Sequence, residues 1–169
     1  MQRAFTIYLR INDAIAVLAL ALGAAVVGFA VIALFSGAVE RHVSGMGYTW
    51  LNDLPPMLMP WAVFPILGVL IRSDRHIMVE VLPTLLRGRA RNLLRLTVYL
   101  ICLVAALIFC WAGGEAVLFF RSLGEVTESE IEIPIWTMYL SFPVDFALLA
   151  NFSLEAVLRE VQHFLDGST

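Results

Sequence analysis

Ala14–Val39 is a run of 26 residues without a formal charge. A helix needs roughly 20 apolar residues to cross a hydrocarbon core of about 30 Å, so few places other than a bilayer can hold such a run. Three more follow. Leu54–Ile71 gives 18 residues, Leu96–Gly114 gives 19, and Ile133–Leu154 gives 22 with one interruption at Asp145. With a mean hydropathy of +0.86 and 15% charged residues, the chain lies far from the composition of a soluble domain. Four transmembrane helices account for nearly all the apolar sequence, with spans expected at approximately 14–37, 53–72, 95–118 and 133–156. The connectors leave no room for a soluble domain. The expected fold class is an all-α integral membrane protein, one four-helix membrane domain covering residues 1–169.

The first run is too long for a signal peptide, whose apolar region spans only about 7 to 15 residues, although Ser36-Gly37-Ala38 resembles a cleavage site. It is expected to be a retained span. Cys102 and Cys110 lie on one span, about 12 Å apart in rise, too far for a disulfide. A net charge of −3 offers no basic surface for nucleic acid.

Charge distribution sets the expected orientation. The chain has no lysine, and of its 11 arginines six fall between Arg72 and Arg95. Arg3, Arg10 and Arg159 lie at the two termini, which four spans put on that same side. Arg41 and Arg121 remain for the other side, with Glu40, Glu125, Glu128, Glu130 and Glu132. Arginine resists translocation, so both termini and the arginine-rich connector are expected in the cytoplasm. Within "DRHIMVEVLPTLLRGRARNLLR", Ile77, Val81 and Leu85 recur near helical spacing, Asp74 can cap, Pro83 kinks and Gly88 terminates. That pattern fits either a short amphipathic interfacial helix between spans two and three, with its arginines near lipid phosphates, or an ordinary amphipathic loop pressed on the bilayer.

The spans themselves carry little chemistry. In the second, Asn52 or Asp53 can cap, Pro55 and Pro56 suit the first turn, and Pro60 and Pro65 should bend the helix. Cys102, Ala106, Cys110 and Gly114 recur every four residues, and Ala24 and Gly28 form a similar row in span one. Small residues in such rows let helices approach closely in lipid, so both cysteines read as packing residues. His42, His76 and His163 sit outside the apolar runs, so no pair can ligate a haem between helices. Neither a C-x-x-C motif nor a glycine loop with lysine is present, and no cofactor or metal is expected. An enzyme is not expected. The intramembrane polar residues are Asp145 and Glu115. Pro143 leaves the carbonyl of Tyr139 without its usual donor, and a protonated Asp145 could supply a hydrogen bond there or to a neighbouring helix.

Three phrases carry a family resemblance. They are "GMGYTWLNDLP" before the second span, "LGVLIRSDRHIMVEVLP" at its end, and "EIPIWTMYLSFP" opening the fourth. In the central phrase Arg72, Arg75, His76, Val79 and Glu80 occupy the positions of an R-x-x-R-H-I-x-V-[DE] pattern. Over essentially its whole length the chain resembles the small membrane subunit (Q-type, DctQ-like) of tripartite ATP-independent periplasmic (TRAP) transporters. The resemblance implies a multi-pass inner-membrane protein of a bacterium or archaeon. It implies a large permease subunit holding the sodium and substrate sites, and a periplasmic binding protein delivering an organic acid. This chain would brace the large subunit. Arg72, Arg75, His76, Glu80, Arg87, Arg89 and Arg91 would then contact that subunit or lipid headgroups. Asp145 departs from the small or apolar residue expected of relatives. The alternative is a self-sufficient small four-helix secondary transporter, which needs an intramembrane carboxylate such as Glu115 or Asp145.

Overall fold

A computed structural model describes residues 2–45, 47–72, 89–128 and 130–165. The chain is all-α, as the hydropathy implies. In chain order the helices are α1 (Gln2–Ser44), α2 (Trp50–Arg72), α3 (Arg89–Leu123), the single-turn α4 (Ile135–Tyr139) and α5 (Ser141–Leu165). Among the described residues, four helical stretches are long and apolar enough to cross a bilayer. Each of α1, α2 and α3 extends beyond both ends of its apolar run, α1 most of all with 43 residues. The expected interfacial helix falls on residues 73–88, outside the described residues.

The long helices form an open row rather than a closed bundle. The packing order is α1, α2, α5, α3, so α1 and α3 are the two outer members. In lipid no hydrophobic drive pulls helices together, and close packing must do so instead. Along α1 the buried positions Asn12, Ala16, Ala19, Gly23, Ala30, Ala33 and Gly37 keep to a three-four alternation, the 3.5-residue repeat of a left-handed seam. Ala62 of α2 is completely buried against it, and a Cβ on Gly23 would lie 3.0 Å from the Ala62 carbonyl oxygen. At the other end of this seam a Cβ on Gly37 would come within 3.3 Å of Leu51 Cβ. The helix runs unbroken through Ser36-Gly37-Ala38.

Ala24 and Gly28 do not belong to this seam, contrary to the row expected of them. Ala24 is exposed and a Cβ on Gly28 would meet nothing within 4 Å. In α3 the contact also shifts by one residue. A Cβ on Gly113, not Gly114, would crowd Pro143 Cδ at 3.0 Å, while Gly114 has open space. Ala106 is fully buried, Cys102 and Cys110 are half-buried, and the Cys110 thiol donates to the Pro143 carbonyl at 3.4 Å. The stacked pair Phe109–Phe146, with centroids 5.1 Å apart, completes the antiparallel α3–α5 contact, and Phe120 stacks on Tyr139 of α4 at 4.0 Å.

Local signals end the elements. Gly45, at φ +70°, closes α1 with its N–H on the Arg41 carbonyl at 3.2 Å. Thr49 accepts from the backbone N–H groups of Asn52 and Asp53 at 2.9 and 3.1 Å, so α2 starts before the expected cap and its prolines fall deeper inside. Between α3 and α4 the chain turns at Gly124 and pairs Val126 with Pro134. Leu140 separates α4 from α5, where Pro143 cannot donate and the Val144 N–H reaches Leu140 O at 3.4 Å.

Candidate functional site

The last described residue of α2 is Arg72, and the densest polar contacts among the described residues form around it. Its Nε donates to both carboxylate oxygens of Glu155 at 3.1 Å. Its Nη2 donates to Asp13 Oδ1 at 2.6 Å and to the Leu9 carbonyl at 3.4 Å. Glu155 is 1% exposed, and it also accepts from Asn12 Nδ2 at 2.5 Å and from Arg159 Nη2. Asn12 Oδ1 in turn accepts from Asn151 Nδ2 at 2.8 Å, and the Tyr8 hydroxyl sits 3.0 Å from both Asn151 oxygens. One cluster thus ties α1, α2 and α5 at the arginine-rich end. Arg95 of α3 reaches Glu160 of α5 at 4.0 Å, adding a looser tie to the fourth helix.

The sequence places these groups by simple periodicity. Asn151, Glu155 and Arg159 follow one another at i, i+4 and i+8 on α5, and Tyr8 and Asn12 are one turn apart on α1. Arg72 spans the gap because its planar fork can donate in two directions at once. The two arginines balance Asp13 and Glu155, as a buried carboxylate requires. Beneath the guanidinium lies Phe152, wholly buried, with its ring centroid 5.9 Å from Arg72 Cζ. Gly68 makes room for that ring, since a Cβ there would lie 2.8 Å from Phe152 Cδ2. A depression lined by Asp13, Val69, Arg72 and Arg159 opens beside the cluster.

Of the residues expected to contact a partner or lipid, Arg72 is therefore engaged within the chain. Arg75, His76, Glu80 and Arg87 lie outside the described residues, and Arg89 and Arg91 open α3. Glu115 is exposed on α3, away from the cluster. Asp145 is 3% exposed, and neither carboxylate oxygen has a hydrogen-bond partner. The bond expected between Asp145 and the Tyr139 carbonyl, or a neighbouring helix, is thus not made among the described residues. Tyr8, Asn12, Asp13, Asn151 and Glu155 escaped the sequence reading. The four-residue spacing of Asn151, Glu155 and Arg159 on α5, and of Tyr8 and Asn12 on α1, was the signal for four of them. Among the described residues, no group of three or more His, Cys, Asp or Glu side chains could hold a metal ion.

Four membrane-length stretches packed in a row and tied by ion pairs at one end define a helical multi-pass membrane protein. Residues 30–163 match the family of tripartite ATP-independent periplasmic transporters, DctQ component, and the chain belongs to that family. It is similar to the C4-dicarboxylate TRAP transporter small permease protein DctQ of Pseudomonas aeruginosa, 31% identical over 121 residues. That match covers 70% of this chain and spans 58% of the relative's length. The chain is accordingly a multi-pass membrane protein of this family.

Proposed function

We propose that this chain is the small scaffold subunit of a TRAP secondary importer. It braces a large permease subunit during sodium-driven uptake of an organic acid delivered by a periplasmic binding protein. The relative's name specifies a C4-dicarboxylate, which supports an organic acid as the substrate class. Sodium is expected in the large subunit, and both termini in the cytoplasm.

The observation that carries this reading is the open row tied at one end. A brace must keep its helices from sliding past one another while a neighbour moves. The small-residue seam of α1 on α2 resists separation, and the Arg72–Glu155 cluster blocks axial slip of α1, α2 and α5. A row also leaves broad apolar faces free on either side for lipid and a partner.

Proteoliposomes test it. This chain alone should move no substrate. With the large subunit, the binding protein and an inward sodium gradient, uptake should appear. Proton-coupled transport by the lone chain, or full uptake without it, would overturn the reading.

A further inference from the structure

The exposed face of α3 differs from the other apolar faces in one respect. Val104, Ile108, Trp111, Glu115 and Leu118 follow a three-four alternation and are all exposed, Trp111 by 71%. Glu115 is nine residues, or two and a half turns, from the fully buried Ala106, and so points directly away from the row. Among the described residues it makes no hydrogen bond or ion pair. By contrast, the equally exposed face of α1 around Val17, Val31 and Phe35 falls in the tract that carries no charge at all. Lipid suits the α1 face. It does not suit a carboxylate.

Depth sharpens the point. At the end of α3 away from Arg95, Arg121 lies 5.7 Å from the centre of the Trp136 ring. Glu115 is six residues back from Arg121, about 9 Å towards the membrane interior. Helical Cβ atoms lean towards the helix N-terminus, here the Arg95 end, so the side chain inclines deeper and not towards the nearer interface. Charged groups at such a position pair with each other or face a polar path.

We propose that this face of α3 is where the large subunit docks, with a cationic side chain on one of its membrane helices paired to the Glu115 carboxylate. The proposal rests on the reading above that this chain works beside a large subunit. Trp111 and its apolar neighbours supply the surrounding contact that excludes lipid from the pair.

Co-expression with the large subunit, with a tag on this chain, provides the test. Glu115→Arg should lower the co-purified large subunit roughly tenfold or more, and Glu115→Gln should lower it less. A photoreactive phenylalanine analogue in place of Trp111 should cross-link to the large subunit, and one in place of Val31 should not. That second measurement does not depend on the arginine variant inserting. If the wild-type chain retains the large subunit, undiminished retention by Glu115→Arg, or cross-linking from position 31 but not 111, overturns this docking face and leaves the association of the two subunits intact. If the wild-type chain retains no large subunit, that association itself fails and the docking face falls with it.

Discussion

Replacing Arg72 by Met should expose how much of this chain's stability resides in the end cluster. The side chain to be removed is 14% exposed and the Glu155 it leaves is 1% exposed. Breaking a buried pair by deleting one partner costs about 3–5 kcal/mol, because the other charge stays buried. Two groups soften the loss, since Asn12 and Arg159 remain on Glu155. Asp13, at 67% exposure, is solvated once freed and adds little. The lower end of the range applies, about 3 kcal/mol. A neutral hydrogen bond in a membrane protein averages only about 0.6 kcal/mol, so Asn151→Ala should cost several-fold less than Arg72→Met. Removing both charges together is the discriminating variant. Arg72→Met with Glu155→Met exchanges an ion pair for apolar volume and should lose no more than either single change. Reversible unfolding of the purified chain, followed by circular dichroism as mixed micelles are enriched in dodecyl sulfate, measures all four. An Arg72→Met variant within about 0.5 kcal/mol of wild type, the range of an ordinary surface change, would refute the assignment of Arg72 as the central tie.

Gly68→Ala should destabilise by about 1–3 kcal/mol, because its Cβ would lie 2.8 Å from a fully buried ring, and Phe152→Leu should recover part of the loss in the same unfolding assay. Gly113→Ala should weaken the α3–α5 contact measurably, whereas Gly114→Ala and Gly28→Ala, with open space at each, should stay within about 0.5 kcal/mol. Asp145→Leu should leave the isolated chain as stable or stabilise it by about 1–3 kcal/mol, since it removes a buried carboxylate that has no partner; a loss of stability would mean that a bond to this residue exists. Reporter fusions after Thr169 and near Gly88 should report cytoplasm, and those near Gly45 and Glu128 periplasm, with a periplasmic signal at Gly88 reversing the orientation.

Hydropathy alone located the four long helices, because the cost of burying charge in hydrocarbon leaves one place for a 26-residue uncharged tract. The cluster was only half legible. Arg72 was singled out by the charge count and the family phrase, but its partners lie 59 and 83 residues away in the chain and no local pattern links them. Ending the fourth apolar run at Leu154 also cut the stripe Asn151, Glu155, Arg159 in two. The small-residue rows failed for a geometric reason. Steps of four residues turn a helix through 400°, so Cys102, Ala106, Cys110 and Gly114 drift about 120° around the surface, whereas alternating steps of three and four stay on one side. That drift carries Gly114 out of the contact and brings Gly113 in.

The 43 residues of α1 have a consequence for the bilayer itself. At 1.5 Å per residue the helix is about 64 Å long, twice the hydrocarbon thickness. Its uncharged tract of 26 residues measures about 39 Å and still spans a 30 Å core at any tilt up to about 40°. The neighbouring α2 has no such slack, because its 18-residue run measures only about 27 Å. Held together by the seam and the end cluster, the two cannot incline independently. Any tilt of the row that suits α1 shortens the projection of α2 further and draws the two leaflets together beside it. The membrane around α2 should therefore be locally thin, with α1 as the inclined edge of the depression.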